Sequence, residues 1–236
     1  MTRLNIIDNT RGVAFVLMVI HHIFYFYDAN NKYLTSLARN PIIDNIGFIA
    51  RHIFLFLTGY SLATNYSEKK YKNKIKFIYE RLKKSLLILA HAFAISIITY
   101  NFYPNYYIRF GVLHFIGIAT LLLSIIAPYK SLYPIIFLLS LYLKNNIDQI
   151  PYFNSIIDTM LGTRITYNMM DYFPLIKNIP IVLLGMMGTF INKDIFQNIE
   201  IFNHHNILTD IGTDTLNLYT LHLVGLILFY VKFYSK

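Results

Sequence analysis

Cysteine and tryptophan are both absent from the 236 residues, and only 14% of the residues are charged. The lack of cysteine excludes disulfides, a thiolate nucleophile and any metal site built on cysteine. Soluble domains usually carry about 25% charged residues, so the low charge argues against a soluble domain. The mean hydropathy is +0.46, and 56% of the residues are hydrophobic. These values predict an integral, multi-pass membrane protein.

The motifs of three soluble enzyme classes are missing as well: the phosphate loop, the esterase elbow and the zinc-protease helix. The paired histidines His204 and His205 have no cysteine or carboxylate at ligand spacing, so we expect no metal site. The candidate functional residues are therefore the ionisable side chains of the membrane segments, because such side chains are rare there and usually functional.

The apolar residues form seven blocks, each near the ~20 residues that a helix needs to cross a bilayer. The fifth block is the shortest. We predict an all-α bundle of about seven transmembrane helices that forms a single domain over residues 1–236. The polar segment at residues 145–171 is predicted to be a structured loop or an interfacial helix on the outer face. The blocks cover residues 12–27, 46–63, 85–102, 110–127, 132–143, 173–191 and 211–231.

Basic residues crowd into one loop and set the predicted orientation. The net charge is +9, but its concentration beside an apolar block is typical of a juxtamembrane segment rather than a nucleic-acid surface. By the positive-inside rule this loop is cytoplasmic, and the N-terminus is then cytoplasmic too. We predict contact with anionic membrane lipids and no binding of nucleic acid. The eight residues are Lys69, Lys70, Lys72, Lys74, Lys76, Arg81, Lys83 and Lys84.

Polar side chains from four spans are predicted to gather near the outer membrane face. Arg51 and Arg109 are equally well explained by snorkelling to lipid headgroups. His22 and His114 favour a functional site, because a neutral histidine inside an apolar helix needs hydrogen-bond partners. The predicted group comprises His22, Arg51, His52, Arg109, His114, Asp171 and Tyr172.

The first apolar block pairs an arginine with a histidine. Helical geometry brings Arg11 and His22 within about 20° of one face and roughly 16 Å apart along the axis. Phe15 and Met18 lie between them. Asp8 is about 40° from this face, where it either orients Arg11 or forms a charge pair that caps the helix. An anionic donor head held at Arg11 would reach His22 with a long arm.

The last apolar block carries a second polar stripe. Thr215, Tyr219 and His222 have the spacing i, i+4, i+7, which places them on one helix face. Such a stripe forms either a buried hydrogen-bonded strut between helices or part of a catalytic site. The spacing slightly favours the strut.

Five ordered blocks of sequence resemble the heparan-alpha-glucosaminide N-acetyltransferase catalytic-domain family, in its short bacterial-type form. No single block is specific to the family, but their order and their coverage of nearly the whole chain are. The blocks are Asp8-x-x-Arg11-Gly12 with residues 18–22, then residues 54–62, 109–117, 171–175 and 211–222.

The resemblance implies a transmembrane acyltransferase. Acetyl-CoA from the cytoplasmic side would supply the acetyl group, and an acceptor at the opposite face, either a sugar amine or hydroxyl or another small molecule, would receive it. The catalytic histidine of the family carries over to His22, with His21 as the second choice. Both direct transfer and transfer through an acylated histidine are compatible with the sequence.

Roles for the other polar residues follow from placing this chemistry on the predicted topology. The donor-binding residues are predicted to be Arg11, Asp8, Arg51 and Arg109. His114 or Arg109 would stabilise an oxyanion, and Asp171 would orient a histidine or the acceptor.

Three further interpretations remain open at this point. A small transporter or proton-coupled carrier would also use intramembrane histidine, arginine and aspartate, although no internal repeat is visible. A degenerate family member would act as a membrane scaffold. A homodimer is compatible with each function.

Overall fold

The computed structural model describes residues 5–30, 40–66, 73–164, 169–191 and 204–234. Within these ranges the chain forms nine α-helices and two short 3₁₀ helices and contains no β-strand. The α-helices are α1 (Asn5–Asn30), α2 (Pro41–Asn65), α3 (Lys74–Phe102), α4 (Val112–Ile126), α5 (Leu132–Asn145), α6 (Ser155–Leu161), α7 (Leu175–Met187), α8 (Ile207–Thr213) and α9 (Thr215–Tyr234).

Four of these helices, α1, α2, α3 and α9, are long and apolar enough to cross a membrane. Shorter apolar helices occupy the remaining three predicted blocks, at Val112–Ile126, Leu132–Asn145 and Leu175–Phe190. The prediction of an all-helical protein with apolar, membrane-length helices is confirmed. The number of seven spans and the cytoplasmic N-terminus remain predictions.

Two helices begin well before the apolar blocks that identified them. Helix α1 begins at Asn5, so the polar stretch around Asp8 and Arg11 is helical. Helix α3 begins at Lys74, and the Asn73 side chain caps it by accepting a hydrogen bond from the Ile75 N–H. Charged residues thus extend both helices beyond the part that hydropathy detects.

The last predicted span is divided. Helix α8 ends at Thr213, and α9 begins at Thr215. The carbonyl of Gly212, near the end of α8, accepts a hydrogen bond from the Thr215 hydroxyl at 2.8 Å. Side-chain donors commonly satisfy the last carbonyls of a helix in this way.

The chain forms two compact units. The first comprises Met1–Phe54 and Asn192–Lys236, and the second comprises Leu55–Ile191. Helix α2 contributes its first half to the first unit and its second half to the second.

In the first unit, α1 packs directly on the backbone of α8. A Cβ atom at Gly212 would overlap the carbonyl group of Asp8, and one at Gly12 would overlap the carbonyl of Leu208. Glycine is therefore required at both positions of this crossing. Helix α9 also packs on α1, where the Tyr230 hydroxyl donates to the Ile23 carbonyl at 3.0 Å.

In the second unit, small residues again set the helix contacts. The buried Ser85 of α3 donates from its hydroxyl to the Gly117 carbonyl of α4 at 2.7 Å. Helices α2 and α7 approach closely at Gly59 and Gly185, because a Cβ atom at either position would overlap the facing backbone carbonyl. Small residues at such crossings are typical of helices that pack within a membrane.

The described part of the polar segment at residues 145–171 contains a 3₁₀ helix at Ile147–Gln149 and one short α-helix, α6. Asn154 caps its start by accepting from the N–H groups of Ile156 and Ile157. Gly162 ends it in the left-handed region with φ +88°, which glycine adopts without strain. The predicted helix in this segment is therefore present, and its position at a membrane interface remains a prediction.

We expect Gly212→Ala to destabilise the first unit by about 1–3 kcal/mol, because the added methyl group overlaps the backbone of α1. For a chain of this size each kcal/mol of lost stability lowers the unfolding temperature by about 2–4 °C. Thermal unfolding of the purified protein in detergent will measure this decrease.

The matched control is Gly225→Ala in α9, where an added Cβ meets nothing within 4 Å. This variant should unfold at the same temperature as the wild type or slightly above it, since alanine favours the helix by up to about 1 kcal/mol. Equal unfolding temperatures for the two variants would show that α1 and α8 do not approach this closely.

Candidate active site

A hydrogen bond between two histidines joins α1 to α9 in the first unit. His22 Nδ1 lies 2.8 Å from His222 Nε2. The two rings are within 10° of parallel and their centroids are 5.2 Å apart. With the nitrogens this close and the centroids this far apart, the rings meet edge to edge, as a direct N–H···N bond requires.

The partners of these rings determine where the protons lie. His222 Nδ1 is 3.2 Å from the Leu218 carbonyl oxygen, which only accepts, so this nitrogen carries a hydrogen. In a neutral ring His222 Nε2 then accepts, and His22 Nδ1 must donate to it. The remaining nitrogen, His22 Nε2, keeps its lone pair. That atom is the proton acceptor of the pair.

Aromatic side chains surround the histidine pair. Phe15 packs edge to face on His222 with a centroid distance of 5.3 Å. Tyr219 packs edge to face on both rings, at 6.1 Å from His22 and 5.1 Å from His222. Phe15 and Tyr219 are buried, whereas the histidines are partly exposed. The two aromatic side chains therefore cover part of the histidine pair and leave both imidazole rings partly exposed.

His222 is the functional candidate that the sequence did not select. The spacing of Thr215, Tyr219 and His222 identified its helix face and favoured a structural strut. The structure joins this face to α1 through His22 itself. The polar stripe was the only signal for this contact, because nothing in the sequence specifies which helix it faces.

His21 faces a different helix. Its Nδ1 lies 3.1 Å from the Ile43 carbonyl oxygen of α2, and a Cβ atom at Gly47 would overlap its ring. Its ring centroid is 5.8 Å from that of His22. His21 therefore neighbours the pair but its Nδ1 is directed to the α2 backbone.

The polar start of α1 is held against α8. Arg11 Nη1 forms an ion pair with Asp8 Oδ1 at 2.8 Å and donates to the Gly212 carbonyl at 3.3 Å. Beside them, Asn9 accepts from the Thr209 hydroxyl at 2.7 Å and donates to the His204 carbonyl at 3.1 Å. Asp8 and Asn9 are buried. Two of these contacts, from Arg11 to the Gly212 carbonyl and from Thr209 to Asn9, tie α1 to α8.

Phe15 and Met18, which separate Arg11 from His22 on the predicted donor path, are both buried. A donor arm lying along this face would require these side chains to move. Arg51 is the other predicted donor-binding residue of this unit. Its guanidinium carbon lies 5.7 Å from the centroid of the Phe48 ring.

The second unit holds the other predicted residues together at the start of α4. The Val112 N–H donates to Asp171 Oδ2 at 3.0 Å, and an isolated β-bridge joins Phe110 to Tyr172. The Arg109 guanidinium lies 4.3 Å from the centroid of the Tyr107 ring. Asp171 thus satisfies one of the free N–H groups at the helix start, where a carboxylate is favourable.

Both ring nitrogens of His114 are engaged in this cluster. The Gly111 N–H donates to His114 Nδ1 at 3.3 Å, so Nδ1 keeps its lone pair and Nε2 carries the hydrogen. His114 Nε2 lies 3.3 Å from the Ser96 hydroxyl, which itself donates to the Ile108 carbonyl at 2.6 Å. His114 has the opposite tautomer to His22 and holds the loop before α4.

The predicted site residues therefore fall into two groups, one within each unit. Asp8, Arg11, His22 and Arg51 belong to the first unit, and Arg109, His114 and Asp171 belong to the second. Within the described ranges, no three histidine or acidic side chains are grouped so as to hold a metal ion.

A comparison with protein families places residues 3–224 in one family model, described as "Heparan-alpha-glucosaminide N-acetyltransferase, catalytic". The match covers nearly the whole chain and includes all the residues of both groups. No curated protein and no solved structure matches the chain significantly.

The histidine tautomers can be read directly by ¹⁵N NMR of the protein labelled at histidine in a lipid bilayer. We expect His22 to carry hydrogen on Nδ1 and His114 to carry it on Nε2, because their partners require these forms. The two residues serve as internal controls for each other. A hydrogen on His22 Nε2 in the neutral protein would contradict the assigned hydrogen-bond chain.

Proposed function

Because this chain belongs to the heparan-alpha-glucosaminide N-acetyltransferase catalytic family, we propose that it is a membrane-embedded acetyltransferase with His22 as its catalytic base. The observation that carries this assignment is the hydrogen bond from His22 to His222, since it leaves the lone pair of His22 on Nε2. Family membership supports acetyl transfer, and the residues that perform it are our proposal.

The reaction proposed is transfer from a thioester to an amine or hydroxyl. His22 Nε2 takes the proton of the acceptor as the acceptor nitrogen or oxygen bonds to the thioester carbonyl carbon. The carbon–sulfur bond then breaks, and the departing thiolate takes the proton from His22. The histidine ends neutral, and the products are the acetylated acceptor and the free thiol of CoA.

His222 and the Leu218 carbonyl position the base. The carbonyl fixes His222 Nδ1–H, and His222 in turn fixes His22 Nδ1–H. When His22 gains a proton it keeps this donor bond, and the neutral Nε2 of His222 stabilises the resulting cation. A carboxylate performs this function for the histidine of a serine-protease triad. Here an uncharged imidazole and a backbone carbonyl would do so.

The donor is proposed to be acetyl-CoA and the acceptor a sugar amine or hydroxyl at the opposite membrane face. Arginines bind phosphate well, which supports Arg11, Arg51 and Arg109 as donor-binding candidates. Arg11 already binds Asp8 and the Gly212 carbonyl. Its contribution would therefore be to hold α1 and α8 in place as well as to attract the donor.

Asp171 and His114 are proposed as positioning residues rather than as acid or base. Their polar atoms bind the backbone at the start of α4, so they shape the loop that carries Arg109.

We expect His22→Gln to lower acetyl transfer by about 10²–10⁴-fold, the usual contribution of a general base. Membranes containing the protein would be incubated with labelled acetyl-CoA and a panel of amino sugars and sugar alcohols. His205→Gln is the control, because His205 is exposed and lies 3.2 Å from the carboxylate of the exposed Asp210. Equal activity in the two variants would refute the assignment of His22.

Replacing His222 tests its role in positioning. His222→Leu removes the acceptor of the His22 Nδ1–H, so we expect kcat to fall between about tenfold and the ~10⁴-fold lost when a triad histidine has the wrong tautomer. His222→Gln offers an amide oxygen to the same hydrogen and should recover part of the rate.

The ¹⁵N NMR signal of His22 distinguishes positioning from mere packing. We expect mixed tautomers in His222→Leu and a restored Nδ1–H in His222→Gln. Wild-type activity in His222→Leu, or an unchanged His22 tautomer, would show that His222 does not position the base.

A further inference from the structure

Arg81 lies on the packed face of α3, where a charged side chain is unusual. Phe77 and Ser85, one helical turn before and after it on the same face, are completely buried. Ser85 bonds the backbone of α4, so this face is the one directed at the neighbouring helix. A guanidinium therefore interrupts a packed stripe.

The Nε atom of Arg81 is buried, and none of the residues described accepts a hydrogen bond from it. Its guanidinium carbon lies 5.5 Å from the centroid of the Phe77 ring. The ring stabilises the positive charge but offers no acceptor for the N–H. A buried donor left without an acceptor is costly, so an anion beside Arg81 would supply the acceptor that the described residues do not provide.

A second cation lies on the same face two turns earlier. Lys74 places its ammonium nitrogen 4.2 Å from the centroid of the Tyr129 ring in the turn between α4 and α5, and Lys130 follows that tyrosine. Along α3, Lys74 and Arg81 are about 10 Å apart. Lys74 and Lys130 are exposed and would attract an anion toward the partly buried Arg81.

We propose that Arg81 binds a phosphate group at this end of the second unit, with Lys74 and Lys130 as the flanking cations. The planar guanidinium presents several N–H donors in a fixed arrangement that matches phosphate oxygens. The phosphate has two possible sources with the same chemistry. One is the nucleotide part of the CoA donor, which rests on the proposed function; the other is a phospholipid headgroup, which does not.

The two sources are separated by two binding measurements on the full-length protein. In nanodiscs of phosphatidylcholine, binding of adenosine 3′,5′-bisphosphate by calorimetry tests the nucleotide. In detergent without nucleotide, native mass spectrometry of retained phosphatidylglycerol tests the lipid. Neither measurement requires turnover, so His22→Gln should bind both probes like the wild type whether or not the transfer mechanism is correct.

We expect Arg81→Gln to weaken one of the two probes by about tenfold or more, as the loss of a charge-assisted hydrogen bond to phosphate implies. The matched control is Lys83→Gln, which removes one charge from an exposed side chain that lies over Tyr79 on another face of α3. This control should change the binding of either probe by less than about twofold, since an exposed charge acts only at long range.

Arg81→Lys is the second test, in case Arg81→Gln does not fold correctly. It keeps the positive charge and the helix but loses the forked N–H donors of the guanidinium. We expect it to bind the affected probe more weakly than the wild type. If both Arg81 variants bind each probe as tightly as Lys83→Gln does, the phosphate site is refuted. The phosphate site is also refuted if all three substitutions reduce the affinity for both probes equally, since charge alone would then explain the binding.

Discussion

The direct approach of α1 to α8 is the constraint on which the candidate active site depends. Glycines at positions 12 and 212 let the two backbones touch. Because only Asp214 separates the end of α8 from the start of α9, the position of α8 on α1 sets where α9 starts. The register of His222 opposite His22 follows from this start. The contact between α1 and α8 at one end of α1 thus sets which residue of α9 lies opposite His22.

Polar groups near the α1–α8 contact serve the fold first. Arg11 binds Asp8 and a carbonyl near the end of α8, and Asn9 bonds Thr209 and the backbone before it. Buried polar atoms need such partners because little water is available to them. The His22–His222 bond obeys the same rule, but it leaves one nitrogen of His22 with its lone pair. Our proposal that His22 is a catalytic base, rather than part of a structural strut, rests on that lone pair.

Several parts of this picture were predictable. The seven apolar blocks correspond to helices, and the family resemblance selected His22 as the predicted catalytic histidine. The sequence predicted that Arg109, His114 and Asp171 lie near one membrane face together with His22 and Arg51, and that shared location remains a prediction. The first turns of α1 and α3 were not predicted, because they carry polar and charged residues and therefore lie outside the apolar blocks. The division between α8 and α9 was not predicted either. The polar residues Gly212, Thr213 and Asp214 are equally typical of the start of a single helix.

The sequence by itself determined that the protein is helical, that its long helices suit a membrane, and that it belongs to an acetyltransferase family. Composition and local periodicity carry this information because the backbone N–H and C=O groups of each helix form hydrogen bonds within that helix. Only the tertiary structure decided that His22 faces His222 while His21 faces α2, and that His114 has the opposite tautomer. Tautomers depend on which atoms a ring meets across helices far apart in sequence, and no local pattern encodes that meeting.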